Sequence, residues 1–96
     1  MRRQTTSTIG EALSLWIEEM KLRSKVEETR LMAAWNPIVG PLIAAKTRDL
    51  YVKNRTLYVS VDSSVIRREL LIAKEKLISQ LNDASGGDVI SDIVFR

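Results

Sequence analysis

Two tyrosines sit in stretches where apolar and polar residues alternate. Tyr51 lies in Asp49-Leu50-Tyr51-Val52-Lys53, and Tyr58 in Thr56-Leu57-Tyr58-Val59-Ser60-Val61. Lys46, Arg48, Lys53 and Arg55 surround them. Rings on which bases stack, set among cations that hold phosphates, are the working parts of many single-strand binders. Tyrosine is also a favoured strand residue, so the pair taken alone is a cross-strand packing pair. A second basic group, Arg67 and Arg68, opens a ridge of Arg67, Leu71, Lys74 and Ile78 at helical spacing. The ridge is expected to pack Leu71 and Ile78 under the first two helices, with Arg67 and Lys74 reaching to water. The other reading is a surface that docks a partner.

Other chemistry finds no support. The chain has no cysteine and no histidine. That removes disulfides, Cys/His zinc sites, and nucleophilic chemistry built on Cys–His or Ser–His–Asp. Glu18-Glu19 and Glu27-Glu28 are neighbours on helices, so the members of each pair diverge by about 100° and cannot converge on one substrate. Gly86-Gly87 lacks the Lys-Ser/Thr of a phosphate loop and precedes a strand rather than a helix. A binding module is expected, not an enzyme, with no cofactor and no metal.

Net charge is +3 over 96 residues, of which 45% are apolar and 28% charged. This suits one small globular domain. The charge is uneven. Residues 46–82 hold eight basic and four acidic residues, whereas residues 83–96 hold Arg96 against three aspartates. Such a field favours a polyanion. No targeting segment is expected, because Glu11, Glu18 and Glu19 interrupt the apolar residues after Arg2-Arg3. No apolar run approaches a membrane span, and the cytoplasm is the expected compartment.

The elements that must position these residues follow from periodicity. Residues 1–7 are expected to be a flexible N-terminus and residues 8–96 a single domain. Thr8 and Glu11 fit a capping box. Behind it, Ile9, Leu13, Trp16 and Met20 recur at helical spacing over 9–22, with Trp16 central on a stripe expected to be buried. A second helix is expected over 25–36, with Leu31, Trp35 and Ile38 inward, broken near Asn36 by Pro37. Gly40-Pro41 then leads into a short helical turn. Two strands follow, joined at Asn54-Arg55 by a two-residue turn that sets Tyr51 opposite Tyr58. Asp62-Ser63-Ser64 offers N-caps for a third helix over 64–82, whose stripe is Ile66, Leu70, Ala73, Leu77 and Leu81. A loop over 83–88 and a strand over 89–95 end the chain. The expected class is α+β, in the order α-α-β-β-α-β, with helices on one face of a three-stranded sheet.

Trp35, Ile38-Val39-Gly40 and Ile43-Ala44, followed by Leu57 to Ser64, Glu69-Leu70, Leu77 to Asn82 and Ile93 to Arg96, resemble the DciA-like family over residues 9–96. The resemblance implies a bacterial KH-like domain that binds DNA and helps load or operate the replicative DNA helicase. The GxxG loop with which KH domains clamp nucleic acid is absent. Phosphate contacts are therefore assigned to Arg48, Lys53, Arg55, Arg67 and Arg68, with Arg2 and Arg3 as possible additions, and stacking to Tyr51 and Tyr58. Single-stranded or forked DNA is the expected ligand, and a separate apolar surface the expected helicase contact. The alternatives are a KH-like RNA-binding protein and a protein-only adaptor or homodimer module.

Overall fold

A single helix, α1, runs unbroken through Thr5–Val39 where the periodicity predicts two. The computed structural model describes residues 5–96, with side chains from residue 8 onward. Between the two expected helices stand only Arg23 and Ser24, with no Gly or Pro, and extending a formed helix through such residues costs little. Thr8 consequently lies inside the helix and not at its start. Of the expected flexible segment 1–7, residues 5–7 are already helical; the remainder, with Arg2 and Arg3, lies outside the described residues. Pro37 is accommodated two residues before the end of α1. The stop falls instead at Gly40, whose φ of 88° suits glycine and whose N–H reaches the Asn36 carbonyl at 2.9 Å. Pro41 then opens α2, Pro41–Lys46.

The hairpin follows the sequence pattern. β1 spans Thr47–Lys53 and β2 spans Thr56–Val61, antiparallel, with Lys53 opposite Thr56, Val52 opposite Leu57 and Tyr51 opposite Tyr58. Asn54 and Arg55 have φ of 51° and 59°, the pair of positive values that a type I′ turn needs. β1 begins two residues earlier than its alternating pattern suggests, with an irregularity between Thr47 and Asp49.

Ser63 caps α3, Ser64–Ile72, by accepting the Ile66 N–H. The expected single helix over 64–82 is divided at Ala73, and α4 runs Lys74–Ser85. No Gly or Pro forces this break. α3 packs beside β2 and β3 while α4 packs mainly along α1, and the bend lets each half follow its own partner. α4 also takes up Asp83 to Ser85, expected as loop, and ends at Gly86 in the left-handed conformation. β3 is confined to Asp92–Phe95 and runs parallel to β2, so the strand order is β1-β2-β3. The start of the expected strand is instead held by Asn82. Its Oδ1 accepts the N–H groups of Val89 and Ile90, and its Nδ2 donates to the Ile90 carbonyl. The small α+β fold with a three-stranded sheet thus stands, with its third helix in two pieces.

Leu31, Trp35, Leu57, Val59, Val61, Leu70, Leu77, Leu81, Ile90 and Ile93 form the core. Trp35 is fully buried, as expected. Its indole N–H donates to the Thr47 hydroxyl at 3.0 Å, and that hydroxyl donates to the Ile43 carbonyl at 2.9 Å. Trp16 is not buried: it is 57% exposed, and every residue from 8 to 26 is exposed. The reason is length. The chain after α4 passes Glu27 at Gly87, and α1 continues beyond it with no other described element alongside. The molecule measures 65 × 21 × 19 Å with a radius of gyration of 18.1 Å, against about 13 Å for a compact chain of this size. Leu71, expected under the helices, is also exposed, whereas Ile78 packs on the core.

Two outcomes follow for stability. Trp35→Ala leaves a large cavity and removes the indole donor from the Thr47 hydroxyl, and should cost about 3–5 kcal/mol in urea unfolding. The second concerns Asp92. A hydrogen bond from Lys74, at 2.8 Å, and one from the Ile93 N–H hold its carboxyl below the ordinary value of 3.8. A lowered folded-state pKa stabilises above the unfolded value and ceases to as the group protonates. Lys74→Met should therefore be less stable than the parent above about pH 4, with the difference closing as pH falls below 3.8.

Candidate nucleic-acid interface

Alternation along the strands sends Leu57, Val59, Val61 and Ile93 into the core and leaves Asp49, Tyr51, Lys53, Thr56, Tyr58, Ser60, Asp92 and Val94 on the opposite face. None of the latter is buried. Both edges of the platform are set by backbone. The hairpin register places Tyr51 beside Tyr58, and the parallel pairing places Val94 on the other side of Tyr58.

The tyrosine rings stack at a centroid separation of 4.9 Å with 13° between their planes. Arg96 joins them. Its guanidinium carbon lies 5.0 Å from the Tyr58 centroid and 5.8 Å from that of Tyr51, and its Nη2 donates to the Tyr51 hydroxyl. Arg96 is held in place by its own backbone, because its N–H donates to the Val59 carbonyl at 2.8 Å and its carbonyl accepts the Val61 N–H at 2.7 Å. These bonds continue the β3 pairing by one residue and bring Arg96 beside Ser60. The result is two rings and a planar cation over a sheet face that none of the described residues buries, with Lys53 exposed two residues from Tyr51. A base can stack on ring or guanidinium, and a phosphate can meet either cation.

The expected site residues divide between places. Tyr51, Tyr58 and Lys53 share the open face. Arg55 is at the hairpin tip, where its Nη2 lies 3.1 Å from Asp88. Arg48 is at the other end of β1, 3.3 Å from Asp62. Both pairs have side chains at least half exposed, and such surface pairs contribute little, so a phosphate can replace the carboxylate. Arg67 and Arg68 lie on α3, in the helical layer behind the sheet. Arg67 is partly buried and its Nη1 donates to the Val61 carbonyl at 2.9 Å, which makes it a structural brace. Arg68 is exposed but stands away from the tyrosines.

Arg96 is the member that sequence reading missed. Alternation from Ile93 places Val94 and Arg96 on one face. Only the parallel pairing of β3 with β2, which a sequence does not reveal, makes that the tyrosine face. Among the described residues no cluster of His, Cys, Asp and Glu suits a metal ion, and no helix is long and apolar enough to cross a membrane.

The different employment of the arginines is measurable. Arg67→Ala should cost about 1–2 kcal/mol, since the Val61 carbonyl loses a charged donor. Arg55→Ser and Arg48→Ser should each stay within about 0.5 kcal/mol of the parent in urea unfolding.

Comparison with known proteins gives one family. The model of the family described as Dna[CI] antecedent, DciA, matches residues 8–95, nearly the whole chain. The chain finds no match among curated proteins.

Proposed function

Because the chain belongs to the DciA family, we propose that it is a non-enzymatic replication accessory protein of the bacterial cytoplasm that binds DNA while assisting the replicative helicase. The family itself supplies the replicative role and the association with the helicase. The DNA-binding reading is supported by one observation above all: the stacked Tyr51–Tyr58 pair with Arg96 against it, on a sheet face that none of the described helices covers.

The ligand this platform fits is single-stranded. Stacking needs an unpaired base, which a duplex keeps in its own stack, whereas single strands and forks present bases freely. Lys53, Arg55 and Arg48 line the path along the hairpin and supply phosphate contacts at its tip and base, with Arg96 at its centre. The GxxG clamp of KH domains has no counterpart here, so in this reading the strands and not a helix–loop–helix do the binding. Separate surfaces then serve DNA and helicase.

Fluorescence anisotropy with labelled single-stranded DNA, forked DNA, duplex DNA and RNA in one salt series tests this. Single strands and forks should bind ahead of duplex. For about three to five phosphate contacts the log–log salt slope should be around −2 to −3.5. Tyr58→Ala should weaken single-strand binding by about 1–3 kcal/mol with little change in slope. The double variant Lys53→Ser, Arg55→Ser should flatten the slope by about 0.7 per lost contact. No binding at low salt overturns the DNA reading, and preference for RNA over DNA of the same sequence transfers it to RNA. Failure to capture the cognate replicative helicase in a pull-down overturns the helicase part.

A further inference from the structure

Residues 9–26 of α1, about five turns of helix, are exposed at every position, with no described element packed over them. Helices in water owe most of their stability to packing of an apolar face, and this one has such a face. Ile9, Leu13, Trp16 and Met20 recur at intervals of four, three and four, with Ile17 beside them, and are 46–57% exposed. The spacing is that of a coiled-coil seam. It also lies on the same side of α1 as Leu31, Trp35 and Ile38, which enter the core. The face that builds the fold thus continues beyond it, uncovered.

We infer that this face pairs antiparallel with the same face of a second copy of the chain, making a homodimer joined through the first half of α1. The seam is complementary to itself in that direction. Aligned about the midpoint between Ser14 and Leu15, Ile9 meets the partner's Met20 and Leu13 meets the partner's Trp16. All four layers are apolar. The flanking positions match in size as well: Ile17 faces the partner's Gly10, and Glu19 lies beside the partner's Ala12. Gly10 is otherwise a poor residue for a helix interior, and nothing lies within 4 Å of where its side chain would begin; in the dimer that space receives Ile17. Glu11, Glu18, Ser14 and Lys21 point away from the seam, as do Leu15 and Leu22. A parallel pairing would instead stack Trp16 on its own copy and oppose the helix dipoles unfavourably. The antiparallel one sets the two globular ends apart.

The buried area sets the strength. The seam offers on the order of 500 Å² per chain, which makes about 1,000 Å² for the pair, at the low end for a specific interface. Assembly in the micromolar range is the corresponding expectation. This inference rests on α1 alone and is independent of the DNA platform, which lies on the sheet of each globular end.

Sedimentation equilibrium of the full chain across the micromolar range should show a monomer–dimer equilibrium. Leu13→Glu places a charge in the seam and should weaken it at least tenfold, while circular dichroism and the fluorescence of Trp35 report an intact globular end. The chain has no cysteine of its own, so register is read by cross-linking. A mixture of Ile9→Cys and Met20→Cys chains should form disulfide-linked pairs faster than either variant alone. A parent chain that stays monomeric at the highest concentration overturns the inference. So does a monomeric parent whose capture of the helicase is lost in Leu13→Glu, which would assign the seam to the helicase. Cross-linking by Ile9→Cys alone that matches the mixture overturns the antiparallel register.

Discussion

The indole N–H of Trp35 meets the Thr47 hydroxyl at the point where α1, α2 and β1 converge, and much of the architecture hangs from that contact. A fully buried tryptophan contributes a large apolar surface only if its polar atom is satisfied. Thr47 satisfies it and in turn donates a hydrogen bond to the Ile43 carbonyl, within α2. One hydroxyl thereby joins the long helix, the short helix and the first strand. The Gly40 stop gives α2 the angle at which Thr47 can reach back to α1. Thr47 is also the first residue of β1, and after the irregularity that follows it the hairpin register runs residue by residue from Asp49 to Lys53.

The open sheet face is the other side of the same alternation. Leu57 and Val59 fall beneath the helices, and Tyr58 between them must point away. The tyrosine pair therefore needs no loop to hold it, and a pair fixed by strand register is already organised before any ligand arrives. The turn at the end of this ladder adds a cost. Arg55 takes a left-handed conformation that glycine would adopt freely, and its charge at the tip is kept against that preference.

Most local structure was legible in the residues. The hairpin was readable because strand period, turn length and cross-strand pairing all follow from a few neighbouring positions. Trp35 and the Ser63 cap were readable for the same reason. The failures concern what lies across from an element. Trp16 and Trp35 stand on similar stripes, but periodicity reports that a face is apolar, not how far its partner extends, and the chain after α4 passes α1 at Glu27. The break at Ala73 has no breaker residue because it answers two packing partners. Arg96 could not be placed without the direction of β3, which depends on a crossover and not on local pattern. Of the candidate site residues, Tyr51, Tyr58 and Lys53 came from local reading. Separating Arg67 from the other cations required seeing the Val61 carbonyl that occupies it.

The three hydrogen bonds of Asn82 bear on how this molecule comes together. β3 is a four-residue edge strand whose partner lies on the far side of α3 and α4. Such a non-local pairing pays its loop-closure entropy before it gains any contacts, and it forms late compared with a tight hairpin. Asn82 shortens the search. By holding the backbone of Val89 and Ile90 against the end of α4, it delivers the chain to the sheet edge already aligned, with only the last few residues left to pair. The same clamp reaches the open face at one remove: Arg96 follows β3 directly, so the strand that carries it to the tyrosines starts from backbone anchored by one amide side chain of the helical layer.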